Sequence, residues 1–343
     1  ESATCSLCGA WHGQYGLEPT PELYVEHTLM WLREVRRVLR KDGCLWLNIG
    51  DGYAGSGSGG GGNKKGNESG EVWFDGRPCS RNNGLKPKDA VLMPFRVALA
   101  AQADGWWVRS VIIWAKPNPM PESVRDRPTD AHEYIFLLTK SKTYWYDADA
   151  VREPQALTED GRLSAGTSER TNPKWAGGDH DRSGPQRVLP NGRNCRSVWT
   201  FPTQGFPDAH FAVFPRELPE RCIKAGCPEW VCPKCGKARV RVTEKTEEVD
   251  QSAKGSYFDR GKTGERDGGD RTQPGERHIN AAVGWTDCGC GEPFVGGVTL
   301  DPFAGSGTTC EVAYHLGRTA IGIDASAKYL DMAIERVKQG ALL

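Results

Sequence analysis

The chain has 343 residues, and its 44 Lys and Arg balance 44 Asp and Glu to a formal charge of zero. That length buries a sizeable core in one large or two ordinary domains, while neutrality leaves nucleic-acid binding to local basic patches. Mean hydropathy is −0.57, no apolar run approaches the ~18 residues of a membrane span, and the opening ESATCSLCGAW has no signal-peptide pattern.

Twelve Cys raise the question of disulfides. The pairs Cys5/Cys8, Cys232/Cys235 and Cys288/Cys290 are instead spaced for metal, which favours a reduced, intracellular protein and a cytoplasmic location. The sequence lacks an initiator Met, so a fragment or processed form is expected.

Thr20 and Pro21 mark the N-cap and first turn of a helix whose apolar residues Leu23, Met30, Leu32, Val35 and Leu39 keep a helical period to Gly43. A buried strand, Cys44–Ile49, follows and ends on a polar turn at Asp51. Residues 55–70 are Gly/Ser-rich and expected to form a mobile loop. The next helix is predicted over Asp89–Ala103, then a central strand over Trp106–Lys116, a Pro-punctuated loop, and a second strand in EYIFLLTKS. Two strands so joined imply an antiparallel hairpin at the end of an otherwise parallel sheet. Periodicity fades from Val151 to about residue 200, where Arg182, Arg187, Arg193 and Arg196 stand with no acid between Arg182 and Arg196. A helix entered through Pro215 comes next, and then a Cys-flanked insert whose polar middle is expected to be loose. Strand Val298–Leu300, helix Thr308–Leu316, strand Thr319–Ile323 and helix Ala327–Lys338 close the chain.

The segment VTLDPFAGSGTT leaves a strand and enters a helix, so Gly305 and Gly307 can bring backbone close to a ligand. Asp324 ends the following strand about twenty residues on, where a doubly wound fold places the carboxylate that binds ribose hydroxyls. Asp301 at the first strand's end would repel a pyrophosphate but suits a cationic amino-acid group. The ligand it favours is S-adenosylmethionine rather than NAD.

DPFAGSGTT resembles the adenosylmethionine loop of the DNA amino-methyltransferases, which modify cytosine N4 or adenine N6. Three other stretches resemble that family in order: LREVRRVLRKDGCLWLNIGD, RSVIIWAKPNPMPESVRDRPTDAHEYIFLLTKSKTYWYD and HFAVFPRELPERCI. The resemblance implies an α/β, Rossmann-like methyltransferase fold with a mostly parallel sheet and an antiparallel hairpin. It also implies the circularly permuted, β-type order, with the cofactor half last. That order explains why fewer than forty residues follow the glycine loop.

The family's catalytic signature, Asp, Ser or Asn before Pro-Pro and an aromatic, is absent: the sequence contains no Pro-Pro dipeptide. Two readings follow. Either a piece carrying two strands and the catalytic motif is missing from the chain, or the chain is an inactive DNA-binding homologue that retains the cofactor fold. A sheet without its central strand would leave two rows of backbone polar groups unpaired, which favours the first.

The resemblance further implies a flipped base whose amino group is aimed at the methyl carbon, with no covalent Cys. KPNPMPES leans toward cytosine over adenine. For the cofactor it points to Asp301, Phe303, Gly305, Gly307 and Thr308, with Asp324 on the ribose and Phe214 near the methionine; Phe303 reads also as a core residue. Asp51 is a pocket or a turn residue. Trp114, Lys116, Asn118 and Pro121 are candidates to meet the flipped nucleotide and its phosphates, with strand packing the alternative for Trp114. Arg125, Arg127 and His132 read as backbone contacts or as a solvated loop paired with Asp126 and Glu133. Arg187 and Arg193, with the other clustered arginines, suit phosphate or guanine contacts.

Cys232, Cys235, Cys288 and Cys290 fit a structural zinc ribbon, with Cys227 as a substitute ligand because C-x-C departs from C-x-x-C. Cys5 and Cys8 resemble half of a second knuckle, and Cys44 and Cys310 read as core residues. The expected layout is a Cys-containing segment at 1–18, the catalytic half at 19–150, target recognition at 151–200, a helix leading to the cofactor half at 201–226, the zinc-ribbon-like insert at 227–292 and the cofactor half at 293–343. Double-stranded DNA is the expected partner, with a cognate restriction endonuclease as a candidate companion and no membrane.

Overall fold

The computed structural model describes residues 5, 11–54, 85–86, 88–154, 192–204, 213–249 and 278–340. The Gly/Ser loop 55–70, Cys8, Arg182, Arg187 and residues 250–277 of the insert lie outside the described residues. No helix among those described is long and apolar enough to cross a membrane.

Helix α1 (Pro21–Val38) starts where the sequence placed it: the Thr20 hydroxyl accepts from the Leu23 N–H at 3.2 Å. Strand β1 (Cys44–Ile49) follows. Helix α2 runs Met93–Ala103, four residues shorter at its start than predicted. Ala90 bridges to Tyr53, and Leu92 sits in the left-handed region at φ 57°, so the helix cannot begin earlier. Leu92 has no capping side chain. The Asp51 carboxylate takes that role, accepting from Met93 N–H at 3.0 Å.

Strands β2 (Trp107–Ala115), β3 (His132–Thr139) and β4 (Val198–Thr200) complete a four-stranded sheet ordered β1-β3-β2-β4. The hairpin is antiparallel as expected, but its second strand is internal rather than terminal: β3 is antiparallel to both β1 and β2. β1, β2 and β4 therefore share one direction. The reason is in the composition of β3. Ile135, Phe136, Leu137 and Leu138 are consecutive apolar residues, all at most 3% exposed, as a strand covered on both faces requires. On one face Phe136 and Leu138 pack with Leu32 and Val35 of α1 and Ala98 and Ala101 of α2. On the other, Ile112, Trp114, Ile135, Trp199 and Phe201 pack with Leu218 and Cys222 of helix α3 (Glu217–Gly226).

The middle of the insert, expected to be loose, lies outside the described residues, and its flanks are strands. Strands β5 (Arg241–Val249) and β6 (His278–Trp285) form an antiparallel ribbon. Val242, Thr243, Thr246 and Val249 supply β-branched residues that the average polarity of the segment hides. The last unit pairs β7 (Val298–Asp301) in parallel with β8 (Thr319–Gly322), backed by α4 (Thr308–His315) and α5 (Ala327–Gly340). These bounds differ from the sequence reading by one or two residues. Among the described residues β1 and β7 each have one strand neighbour, so the sheet stands in two parts with an open edge on each.

Candidate active site

The glycine loop sits between β7 and α4 and is fastened by the acids that flank it. Asp301 ends β7, and its carboxylate accepts from the Phe303 N–H at 3.0 Å. Asp324 lies just past β8; one oxygen accepts from Gly305 N–H and the other from Ser326 N–H, both at 2.8 Å. The two glycines have separate reasons to be glycine. Gly305 is at φ +51°, and among the described residues no atom lies within 4 Å of where its Cβ would stand, which leaves the backbone there open. Gly307 is at φ +81°, and a Cβ on it would lie 2.6 Å from that of Ala333, so it lets α4 begin against α5.

Thr308 is turned into the protein. Its hydroxyl is buried and accepts from Arg336 at 2.9 Å. Arg336 also pairs with Glu311 at 2.5 Å and reaches Ser306 at 3.3 Å, while Arg216 at the start of α3 binds the other oxygen of Glu311. This network ties the loop to α5 and α3. Phe303 is half exposed and thus not a core residue; its ring stacks on Tyr15 at 5.6 Å and meets Trp31 edge-on at 5.1 Å. Phe214 packs against the Trp114–Trp199 cluster, just before the buried Pro215.

Asp51 serves the turn reading: besides capping α2 it accepts from Gly52 N–H at 2.9 Å. Trp114 is only 3% exposed, its indole N–H donates to Phe201 O at 2.9 Å, and its ring stacks on Phe201. Packing, not nucleotide contact, accounts for it: Trp114 lies on the sheet face covered by Trp199, Phe201 and helix α3. Lys116 lies over the Trp114 ring at 4.7 Å and pairs with Glu133. Asn118 exchanges hydrogen bonds with Thr203, and Pro121 is exposed beside it in the hairpin loop.

The basic candidates are more neutralised than the sequence implied. Glu153 faces both Arg193, at 3.0 Å, and Arg196, at 2.8 Å, so the acid missing between the arginines arrives from across an isolated β-bridge. Arg127 lies 3.8 Å over the Tyr53 ring and pairs with Glu122. Asp126 pairs with Lys88 rather than with a neighbouring arginine, Arg125 is exposed, and His132 packs edge-on against Tyr134.

Sequence reasoning passed over three groups. Asn48 near the end of β1 donates to Glu133 at 2.7 Å, and its side-chain oxygen is buried without a hydrogen-bond partner among the described residues. Tyr15 receives the Trp31 indole N–H at 3.0 Å and bonds the Thr28 hydroxyl at 2.8 Å, building a wall beside the glycine loop. Arg336 had no motif to announce it. A single polar residue within an otherwise apolar strand, or an aromatic in a short turn-rich segment, leaves no periodic signal to find.

The four insert cysteines converge. The sulfurs of Cys232, Cys235, Cys288 and Cys290 all lie within 4.8 Å of one another. The backbone N–H of Cys235 draws the Cys232 thiol down to about 7, while the Cys288 thiol beside it pushes Cys290 up to about 12. Cys227 is elsewhere, buried with Ile223, Val312 and Ala313, so it does not substitute as a ligand. Cys5 is exposed, Cys310 is buried as expected, and Cys44 is half-buried against Gly226.

A family profile described as DNA methylase, of the N6/N4 type, matches residues 9–230 and 284–335. The chain belongs to this DNA methylase family. It is 33% identical over 335 residues to the type II methyltransferase M.SmaI of Serratia marcescens, covering 95% of this chain and 77% of that protein. It is also 33% identical over 325 residues to M.Cfr9I of Citrobacter freundii, covering 95% and 75%. A solved cytosine-N4-specific PvuII DNA methyltransferase is 13% identical, with a TM-score of 0.49 over 98% of this chain and 76% of that one. As an N6/N4 DNA methylase, the chain is an S-adenosylmethionine-dependent, site-specific enzyme acting on an exocyclic amino group, and the half that carries the glycine loop comes last in the chain, as the sequence indicated. The residues present fit the cofactor: an open glycine position, two strand-end carboxylates and a half-exposed aromatic line one loop.

Proposed function

We propose that this methylase acts on the N4 amino group of a flipped cytosine in double-stranded DNA. The loop with its two carboxylates carries the cofactor part of the reading, and the hairpin segment KPNPMPES the choice of cytosine. When bound, S-adenosylmethionine supplies a methyl group already activated by a sulfonium leaving group. Asp301 receives the cationic methionine end, Asp324 holds ribose hydroxyls with lone pairs not used on the loop, and Gly305 lets backbone approach. Phe303, backed by Tyr15 and Trp31, gives an aromatic surface for the ligand. Phe214 and Pro215 set the turn that leads α3 to the methionine end, and Thr308 acts through Arg336 to fix the loop's shape.

An exocyclic amine is a poor nucleophile because its lone pair is delocalised into the ring, so the protein's task is to flip, hold and aim it. The acceptors for that task belong to the Pro-Pro tetrapeptide, which this sequence does not contain. We assign them to a strand seated between β1 and β7, a reading supported by the open edge on each. Asn118 and Pro121 in the hairpin loop, with Lys116 behind them, meet the nucleotide, and the segment around Arg187 and Arg193 contacts DNA outside the pocket. A cognate restriction endonuclease fits the likeness to type II methyltransferases.

The test is mapping of modified bases after expression of the complete reading frame in an unmodified host. N4-methylcytosine at one recurring sequence is expected. N6-methyladenine in its place refutes the choice of base, and cofactor binding with no methyl transfer refutes the enzymatic reading.

A further inference from the structure

The family match stops at residue 230 and resumes at 284, so Cys232 and Cys235 lie outside it while Cys288 and Cys290 lie within. Yet the fold brings the four together from positions more than fifty residues apart. Each pair occupies a tight turn. In the first, Gly236 N–H donates to Cys232 O at 2.8 Å, Cys232 N–H donates to Lys237 O at 3.0 Å, and Gly236 takes φ +71°. In the second, the Asp287 carboxylate accepts from Cys288 N–H at 2.6 Å and Gly289 N–H at 3.2 Å, with Gly289 and Gly291 both at positive φ. Turns of this kind present sulfur and backbone N–H groups to one point.

We propose that Cys232, Cys235, Cys288 and Cys290 bind one zinc ion, which closes the base of the β5–β6 ribbon and fixes the start of β7. The dimensions suit this. Zinc–sulfur bonds of about 2.3 Å in a tetrahedron separate sulfurs by roughly 3.8 Å, so a cage within 4.8 Å closes by small side-chain rotations. Four thiols bind the ion with loss of four protons and no change of oxidation state, leaving a centre of net charge −2. Lys234, Lys237 and Arg239 surround the first turn in sequence and offset that charge. Four protein ligands leave no open position, so the site is structural and takes no part in methyl transfer.

Its consequence lies where the insert rejoins the fold. Val231, next to Cys232, exchanges backbone hydrogen bonds with Val295 at 2.7 and 2.9 Å, and Gly297 N–H donates to Pro228 O at 3.1 Å. Val295 and Gly297 directly precede β7, whose far end carries Asp301. The ion thus clamps both ends of the insert against the strand that leads to the cofactor loop. The apolar residues Trp230, Val240, Val283 and Val295 near these turns are exposed and build no core there, and a metal supplies what a core would.

The experiment is elemental analysis of the complete protein purified under reducing conditions without chelator, beside Cys232→Ser, Cys288→Ser and, as a control, Cys5→Ser. One zinc per chain is expected in the wild type, retained in Cys5→Ser and lost in the other two. Where a variant does not fold, the wild type carries the test: blocking thiols with a mercurial should release one zinc to a chromophoric chelator. Cobalt exchanged into the site should show sulfur-to-metal charge-transfer bands and tetrahedral visible absorption. A wild type without bound metal, zinc retained by Cys232→Ser or Cys288→Ser, a non-tetrahedral cobalt spectrum, or disulfides among these four residues in thiol-blocked protein would overturn the proposal.

Discussion

Replacing Asp324 tests whether the loop is built for its ligand in advance. Its carboxylate holds Gly305 N–H and Ser326 N–H, each at 2.8 Å, and an ionised acceptor makes such bonds worth about 1.5–3 kcal/mol apiece. Both are half-buried, so the pair together is set at about 2–4 kcal/mol. Asp324→Ala removes both acceptors. Asp324→Asn keeps one oxygen but points an N–H₂ at the other backbone N–H, replacing attraction by repulsion, so the nearly isosteric change gains little over alanine. If ~2 kcal/mol of this favours the ligand-ready loop, the dissociation constant for S-adenosylmethionine rises roughly 30-fold from preorganisation alone, and lost ribose contacts add to that. Calorimetric titration with S-adenosylmethionine, alongside urea unfolding without it, separates the two effects. An Asp324→Asn protein that binds within a few-fold of the wild type and unfolds at the same urea concentration would refute the argument.

The two glycines of the loop should behave differently. Gly307→Ala meets both positive φ and an Ala333 Cβ at 2.6 Å, so it should cost about 2–4 kcal/mol in urea unfolding, whereas Gly305→Ala has open space and should cost only about 1 kcal/mol while weakening cofactor binding. Equal losses of stability would contradict the division. At Glu153, burial pushes the carboxyl up but Arg196 and Arg193 pull harder, leaving it below its usual 4.5. A carboxyl lowered by folding stabilises fully above its unfolded value and loses that contribution as pH falls through the folded value. The stability gap between wild type and Glu153→Gln should therefore be constant at neutral pH and close below 4.5; a gap that persists in acid would show that the ion pairs are not its source.

Much of this site was legible because its parts carry strong local signals. The run LDPFAGSGTT, the strand after it and Asp324 fix one another by spacing, and the continuous apolar stretch in β3 announces a covered strand. What could not be read depends on contacts between distant segments. Glu153 neutralises Arg193 from forty residues away, which no window on the arginine cluster could reveal. Trp114 and Lys116 look alike as candidates in a β-rich string, and only the packing of Phe201 and α3 on one sheet face buries the first, while the second lies just past the end of β2, near the surface. The ribbon at the flanks of the insert is another such case: β5 and β6 pair across a long intervening segment, which no local window could reveal.

The contact between Phe303 and the wall of Tyr15 and Trp31 bears on how the two parts of the sheet act together. The glycine loop follows β7, Trp31 belongs to α1, and α1 packs on the β1 half. Across the gap between the open strand edges, this aromatic cluster is a direct link from the cofactor loop to the other half. An aromatic pair contributes about 0.5–1.5 kcal/mol beyond burial, so Phe303→Ala should destabilise by only about 1–2 kcal/mol, given that the ring is half exposed. Its effect on cofactor affinity should be larger if the exposed half of the ring is the ligand's aromatic surface, as proposed. Tyr15→Ala should weaken binding through Phe303 alone. In a double-mutant cycle read by calorimetric titration, the second substitution should then cost little once the first is made. Fully additive losses would show that Tyr15 and Phe303 reach the ligand independently, and the cluster would be a contact between halves with no part in shaping the site.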